Sequence, residues 1–354
     1  MHFLKKKKYF SLNKEVNNMK KKSFLDRILF FINSLLAAAL LISYLLPFIS
    51  PETIPALTIL SLAVPFLITV NIVFSIYWLL KLRRYFLLSA IILALGFATI
   101  SSFYKFSEKK KFLNDDVSIM SYNVRMFNHY KWNEDSDLAQ KTFDFITDKD
   151  PDILAFQEFY ESDKISFKFP YRYIKTKSKT NKFGLAIYSK YQIVNSGSLD
   201  FTNSANNAIY IDIVKNKDTI RIYNIHLESL KINTNKEHFG EENSEKLFGR
   251  LKSTFKKQAK QTMQFLAHEQ QWKGKIIICG DLNNTAFSWV YNKISDNKKD
   301  AFAEAGSGFG KTFNYAFPVR IDFILTDTSI KINNFKTFDV NYSDHFPIQA
   351  RVNW

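Results

Sequence analysis

Three stretches of the chain, residues 28–49, 56–80 and 85–104, contain no Asp, Glu, Lys or Arg. Each has the ~20 residues that a helix needs to cross the hydrocarbon core of a bilayer. Charge-free runs of that length, three in succession, restrict the first third of the chain to membrane-spanning helices. Asn33 and Asn71 are the main polar interruptions and are expected to face neighbouring helices. Pro47 and Pro65 mark kinks or ends. A cleaved signal peptide does not fit, because the leader before Ile28 is long, no small-residue cleavage site follows the first run, and two more runs come after it.

Charge falls unevenly along the chain. Residues 1–112 hold 16 Lys and Arg against Glu15, Asp26, Glu52 and Glu108, whereas the remainder holds 33 against 29. The overall +16 therefore belongs to segments flanking the apolar runs, and it argues against a strongly basic nucleic-acid-binding domain. The expected organisation is a basic cytoplasmic leader (1–27), a three-span anchor (28–104), a linker (105–113) and a polar domain (114–354). Basic clusters before the first run and between the second and third, with an acidic segment between the first and second, put the N-terminus inside. Three crossings then carry the polar domain to the non-cytoplasmic side of a plasma or inner membrane. Lys105 and Lys109 to Lys111 oppose that orientation. Cys279, the one cysteine, sits in an apolar run as a small hydrophobe and forms no intrachain disulfide.

The polar domain reads as mixed α/β. Strands are expected over 118–126, 152–157, 183–188, 275–279, 321–325 and 330–338, and a hairpin over 207–214 and 219–227. Helices are expected over 137–148, 250–271 and 287–294, with a polar surface loop over 234–249. Polar residues punctuate the ends of the apolar runs: Asn123 and Arg125 in SYNVR, Glu158 in QE, His226 in NIHLE, Asp281 and Asn283 in GDLNN, Asp322 in RIDFIL, and Asp344 and His345 in SDHFP. Period two puts Asp281 and Asn283 on one side of their strand mouth. Gathered by a sheet, these groups suit metal-assisted hydrolysis of a phosphoester. That reaction needs a cation on the phosphoryl oxygens, a positioned water and help for the leaving oxygen. Oxygen-rich ligands without a cysteine cluster favour Mg²⁺, or Mn²⁺, over zinc.

The series SYNVR, QE, NIHLE, GDLNN, RIDFIL and SDHFP, in that order over residues 114–354, resembles the endonuclease/exonuclease/phosphatase superfamily. Deoxyribonuclease I-like nucleases, neutral sphingomyelinases, inositol polyphosphate phosphatases and abasic-site endonucleases belong to that group. The resemblance implies a four-layer α/β/β/α sandwich after the three transmembrane helices. It implies Glu158 as metal ligand with Asn123 beside it, and Asp322 in the metal network or orienting another residue. Asp281 would orient the attacking water and Asn283 would donate to the phosphoryl oxygens. His345, with Asp344 as its orienter, would contact the scissile phosphate. His226 would bind the phosphate or protonate the leaving group, and Arg125 would contact a flanking phosphate. The abasic-site branch carries an acid where this chain has Arg125, and it lacks the counterpart of His226. A carboxylate partner for His226 is open among Glu161, Asp163, Asp200 and Asp212.

The expected activity is thus that of a membrane-anchored, divalent-metal-dependent phosphoesterase acting on phosphodiesters. A nuclease is slightly favoured by SYNVR and NIHLE. A lipid or small-molecule phosphodiesterase is nearly level, and a non-catalytic membrane scaffold comes third. The expected partners are the lipid bilayer and a nucleic acid or phospholipid headgroup, with no obligate protein partner.

Overall fold

The computed structural model describes residues 24–97, 102–162, 167–178, 180–231 and 244–354. They form two compact units. One consists of residues through Ile42 with Phe66–Gly96; the other of Ser43–Pro65 with Phe97–Trp354.

In the first unit, helix α1 (Phe24–Ser43) and most of the helical run that follows Pro55 are mostly apolar, with Asp26 and Arg27 near the start of α1 and Asn33 and Asn71 as interior polar residues. A four-residue α2 (Pro55–Thr58), a 3-10 turn (Ile59–Ala63) and α3 (Val64–Leu80) make up that run. Phe24–Phe48 and Pro55–Leu80 are long and apolar enough to cross a membrane. Of the third expected span, residues 98–101 lie outside the described residues; in the described part, α4 (Phe86–Leu95) has 10 residues. Among the described residues, two helices rather than three are therefore candidates for crossing. Asn33 and Asn71 do turn to neighbouring helices. Ser89 Oγ lies 2.8 Å from Asn33 Oδ1 and 2.9 Å from Asn71 Oδ1, a polar knot that fixes the helices where apolar contact alone is indifferent to register.

The second unit contains two six-stranded sheets. Sheet I joins β1 (Val117–Asn123), β2 (Ile153–Tyr160), β3 (Tyr171–Thr176), β4 (Phe183–Ser189), β11 (Lys331–Thr337) and β12 (Ile348–Asn353), in the order 11-12-1-2-4-3. Sheet II joins β5 (Ile193–Ser198), β6 (Asn207–Lys215), β7 (Asp218–His226), β8 (Ile276–Asp281), β9 (Lys298–Asp300) and β10 (Asp322–Asp327), in the order 5-6-7-8-10-9. Helix α5 (Leu138–Lys149) is attached to sheet I and ends at Asp150, left-handed just before Pro151. Helices α6 (Ser244–Glu269) and α7 (Trp289–Ile294) accompany sheet II, and a short α8 (Ala301–Ala305) follows β9. Strands β3, β5, β9 and β12 lie outside the sequence expectations; β3, β5 and β9 are short and partly polar, whereas β12 (IQARVN) alternates strictly and goes unrecognised there.

Strand alternation explains the layering. Ile119, Ile153, Ala155, Ile220, Ile222, Ile277, Cys279 and Ile324 share one core between the sheets. The intervening residues Met120, Tyr122, Leu154 and Phe156 join the core on α5's side of sheet I. Tyr223, Ile225, Ile276 and Ile278 join that on α6's side of sheet II, with Ala259 and Phe265 of the helix itself. This is an α/β fold of two sheets with helices outside. Cys279 belongs to the inter-sheet core, and burial pushes its thiol far above its ordinary range, as for a packing residue.

Candidate active site

The inward row of each central strand turns from apolar to polar toward one end of the sandwich. After Val117 and Ile119, β1 continues inward with Ser121 and Asn123; β2 follows Ile153 and Ala155 with Gln157. After Ile220 and Ile222, β7 continues with Asn224 and His226, and after Ile277 and Cys279, β8 ends in Asp281. Strand β10 runs antiparallel to β8, with Asp322 opposite Asp281; parallel pairing sets His226 opposite Asp281 on the other flank. Two layers result. The lower one bridges the sheets, with Gln157 Nε2 donating to Asn224 Oδ1 (2.7 Å) and Ser121 Oγ (3.1 Å), and Asn224 Nδ2 donating to the carbonyls of Phe156 and Ala186. Above it lie Asn123, His226, Asp281 and Asp322, all buried.

Asp281 Oδ2 is the hub of the upper layer. It accepts from Asn123 Nδ2 (3.1 Å) and Asn283 Nδ2 (3.2 Å), and lies 3.6 Å from His226 Nε2 and 3.7 Å from His345 Nε2. Its Oδ1 accepts from the Asn283 backbone N–H at 2.7 Å. Asn283 thus both closes a turn, at φ 48°, and reaches back to the carboxylate. Gly280 makes this approach possible. At φ 145° its backbone runs so near β7 that a Cβ would sit 1.9 Å from the Ile225 carbonyl oxygen.

Glu158 would face outward by simple alternation. The β2–β4 pairing slips between Phe156 and Phe159, and Glu158 takes φ 47°, so a bulge re-aims its side chain toward the site. Its Oε1 lies 3.9 Å from His226 Nε2, and the side chain keeps 23% exposure. Burial and the nearby Asp344 carboxylate raise its pKa; His345, Asn123 and Arg125 oppose them.

His345 finds its orienter in Asp322, whose Oδ2 and Oδ1 lie 3.0 and 3.2 Å from Nδ1. The expected orienter, Asp344, instead binds Arg125, with Nη1 to Oδ2 at 2.8 Å. The chain bends through residues 342–344 before His345, and Asp344 there reaches Arg125, while the inward end of β10 already holds the Asp322 carboxylate. Thr312 Oγ1 secures that end by accepting the backbone N–H groups of Ile321 and Asp322, and Phe313 packs edge-on against His345. Arg125 also lies over the Trp132 ring at 4.4 Å, on a left-handed turn through residues 125–128.

The two histidines are driven apart. Burial, reinforced by His345, lowers the His226 pKa to about 3, so its imidazole stays neutral. Burial would lower His345 as well, but the Asp322 and Asp281 carboxylates outweigh it and hold that imidazole protonated well above its ordinary range. Burial, partly offset by His345, raises Asp281.

Among the carboxylates left open for His226, Asp212 forms a double hydrogen bond with Arg221 (2.7 and 2.8 Å), and Asp200 lies with Lys175, Ser198 and Asn207. Asp163 is outside the described residues. The carboxylates that do approach His226 are Asp281 and Glu158. The Glu228 of NIHLE stays out of this cluster, held by Ser204, Lys257 and the Gln261 amide. Sequence reasoning also passed over Gln258. It holds the carbonyls of Glu228 and Asn283 and the Asn284 amide, and helical spacing alone does not separate it from the lysines around it.

These groups fit a hard divalent cation. Their oxygen donors do so: Glu158 gives a partly open carboxylate, with the Asp281 and Asp322 carboxylates nearby, whereas His345, which Asp322 holds protonated, is suited to donate to substrate rather than to ligate a metal. His226 Nε2 is buried without a hydrogen-bond partner, as expected of an atom that faces a ligand.

The profile of the Endonuclease/Exonuclease/phosphatase family matches residues 120–345, and that of a domain of unknown function (DUF8431) matches residues 26–103. No curated protein matches the chain. Similar solved structures include an endonuclease/exonuclease/phosphatase from Bacteroides vulgatus (TM-score 0.52, 18% identity, 67% of this chain and 98% of that one). A mannosyl-6-phosphatase of Bacteroides thetaiotaomicron (0.50, 16%, 67% and 100%) is similar, as is D. rerio TDP2 complexed with a single-strand DNA product (0.50, 15%, 68% and 100%). At these identities the likeness is one of fold.

Proposed function

The chain belongs to the endonuclease/exonuclease/phosphatase family, and we propose that it is a membrane-anchored, divalent-metal-dependent hydrolase of phosphodiester bonds. The observation that carries the reading is the convergence on Asp281 Oδ2 of two imidazoles with opposite protonation preferences. Glu158, with Asn123 beside it, would hold the cation; Asp322 is already engaged by His345. When bound, the cation supplies Lewis-acid charge neutralisation at the phosphoryl oxygens. Asp281 would orient the attacking water as it ionises. His345, held protonated by Asp322, would donate to a phosphoryl or leaving oxygen as charge develops there. His226, neutral, would offer its Nε2 as a hydrogen-bonding partner for substrate rather than as an acid. Asn283 would complete the polar wall. The apolar helices Phe24–Phe48 and Pro55–Leu80 support the anchor, in a plasma or inner membrane.

A nuclease is the second reading, supported by Lys175 and Lys177 in the cavity that His226 lines; Arg125, outside that cavity, pairs with Asp344. Its binding would weaken steeply with salt. Hydrolysis of bis(p-nitrophenyl) phosphate by the full chain in detergent tests the activity. Turnover should disappear with EDTA and return with Mg²⁺ or Mn²⁺. Turnover indifferent to EDTA would overturn the metal requirement, and none with either ion would overturn the phosphodiesterase reading.

A further inference from the structure

The turn that follows β8 is held from three sides, and one of them lies outside the α/β sandwich. Asn283 sits left-handed at φ 48°, a conformation that Asn tolerates but does not prefer, so the turn needs support. Its own strand end gives the first: the Asn283 N–H donates to Asp281 Oδ1 (2.7 Å) and its Nδ2 to the Leu227 carbonyl (3.0 Å). Gln258 of α6 gives the second, donating to the Asn283 carbonyl (3.1 Å) and accepting from Asn284 Nδ2 (2.9 Å). The third comes from the N-terminal part of the chain. Thr285 Oγ1, one residue beyond GDLNN, donates to the Ser61 carbonyl at 3.0 Å, and both residues are buried. Pro65, four residues after Ser61, has no N–H with which to close an α-helical bond to that carbonyl.

Ser61 belongs to the 3-10 turn Ile59–Ala63, inside the first part of the candidate span Pro55–Leu80. Ile59 and Leu62 of the same turn pack against Leu230, Leu247 and Leu251, and Asn292 Nδ2 donates to the Pro47 carbonyl (3.0 Å). The segment Ser43–Pro65 accordingly belongs to the same compact unit as the sandwich. Leu62, Asn283, Thr285 and His345 border one cavity of about 410 Å³, so this segment forms part of the wall of the site itself.

We infer that the N-terminal domain of unknown function completes the catalytic centre, with Thr285 as a positioning residue: through its bond to the Ser61 carbonyl, Ser43–Pro65 holds Asn283, and with it Asp281, in place. Ser61 lies within the residues that match DUF8431 and Thr285 within those that match the endonuclease/exonuclease/phosphatase family, so the bond joins the two matched regions. The apolar contacts of Ile59 and Leu62 bring the segment to the sandwich but are non-directional. The hydrogen bond is directional, and it falls two residues from Asn283. A segment that served only to hold the chain in a membrane would need no bond to a catalytic turn. Displacing a reacting group by about 1 Å costs on the order of 10²-fold in rate, so a support of this kind matters to turnover. The inference rests on the phosphodiesterase reading above and assigns a further residue to that site.

The test uses the full chain in amphipol with Mg²⁺ and bis(p-nitrophenyl) phosphate. Thr285→Val, nearly isosteric, removes the donor to Ser61, and Thr285→Ser keeps it. Thr285→Val also removes the weak acceptor of the Phe287 N–H (3.4 Å), so Leu62→Ala, which loosens the segment without touching the turn, is measured beside it. In Thr285→Val and Leu62→Ala, kcat per folded molecule should fall by about ten-fold or more with KM changed by less than about two-fold, while Thr285→Ser stays close to wild type. The double variant should lose no more than the larger single loss, because both changes break one support. A merely structural role would lower Tm and leave kcat per folded molecule unchanged. That result, or losses that multiply in the double variant, would overturn the inference. Should Thr285→Val not fold, Leu62→Ala decides alone. If the wild type itself shows no turnover, the phosphodiesterase reading fails, and hydrogen exchange decides the positioning. The amides of residues 281–285 should then exchange faster in Thr285→Val and Leu62→Ala but at the wild-type rate in Thr285→Ser; unchanged exchange in the first two would overturn it.

Discussion

Asp322 and His345, 23 residues apart in sequence, meet as a buried carboxylate–imidazole pair with Oδ2 3.0 Å from Nδ1. The carboxylate both fixes the ring and keeps it protonated, so the two should act as a unit. Asp322→Asn is expected to lower kcat by about 10²–10³-fold. Combined with His345→Ala it should cost little more than His345→Ala alone, because groups acting as a unit lose their effect together. Steady-state kinetics of the two single variants and the double variant check this; independent, multiplying losses would dissolve the pair. Asp344→Asn, which touches Arg125 instead, should cost far less.

Acid should unfold the protein partly through His226. Its folded pKa, about 3, lies below the ordinary 6.5. Between those values the unfolded chain binds a proton that the folded chain excludes, so stability rises with pH across that window. The contribution is present in full above 6.5 and is lost as pH falls toward 3. His345, shifted upward, acts oppositely at higher pH. Denaturant titrations from pH 4 to 7 should show a shallower acid loss in His226→Gln than in the wild type; equal slopes would exclude His226 as a cause.

The Gln157–Asn224 bridge joins the two sheets beneath the site through wholly buried amides. Asn224→Leu removes one acceptor of the buried Gln157 amide, which keeps Ser121 Oγ, and the amide donor to the Phe156 and Ala186 carbonyls. It should cost at least about 1–3 kcal/mol, the penalty for a buried polar group left unpaired. Adding Gln157→Leu should restore part of that loss. Chemical denaturation of the three variants tests it, and a fully additive double variant would contradict the bridge.

Gly280→Ala should be among the most damaging single changes. A methyl group would meet the Ile225 carbonyl oxygen at 1.9 Å in a backbone conformation that other residues rarely adopt. A loss of about 3 kcal/mol or more is expected, with activity falling as Asp281 is displaced. Thermal unfolding and turnover report the two effects together.

Much of the site was legible because strand alternation and its interruption are sequence properties. Asn123, His226, Asp281 and Asp322 continue inward rows begun by Ile119, Ile222, Cys279 and Ile324, so apolar runs ending in polar residues pointed to them. What escaped depended on contacts between distant strands. Asp344 adjoins His345 in sequence, yet lies in a bend that turns it to Arg125, and Asp322 takes the role. Glu158 reaches the site through a bulge that its sequence does not announce. The Gln157–Asn224 bridge needs both sheets at once. The third apolar run had the composition of a span, but among the described residues its helix α4 covers only Phe86–Leu95, because composition does not fix helix length. Ile59 and Leu62 looked like ordinary span residues, and only the packing of Ser43–Pro65 with the sandwich sets them against Leu230 and Leu251.

The most direct test of the central claim replaces Asp281 by Asn, nearly isosteric, in the full chain. Bis(p-nitrophenyl) phosphate turnover at saturating Mg²⁺ should fall by about 10³-fold. Without metal, Tm should hold or rise, because burial disfavours the charged carboxylate that the substitution removes. Turnover within a few-fold of wild type, with the fold intact, would contradict a catalytic centre built around Asp281.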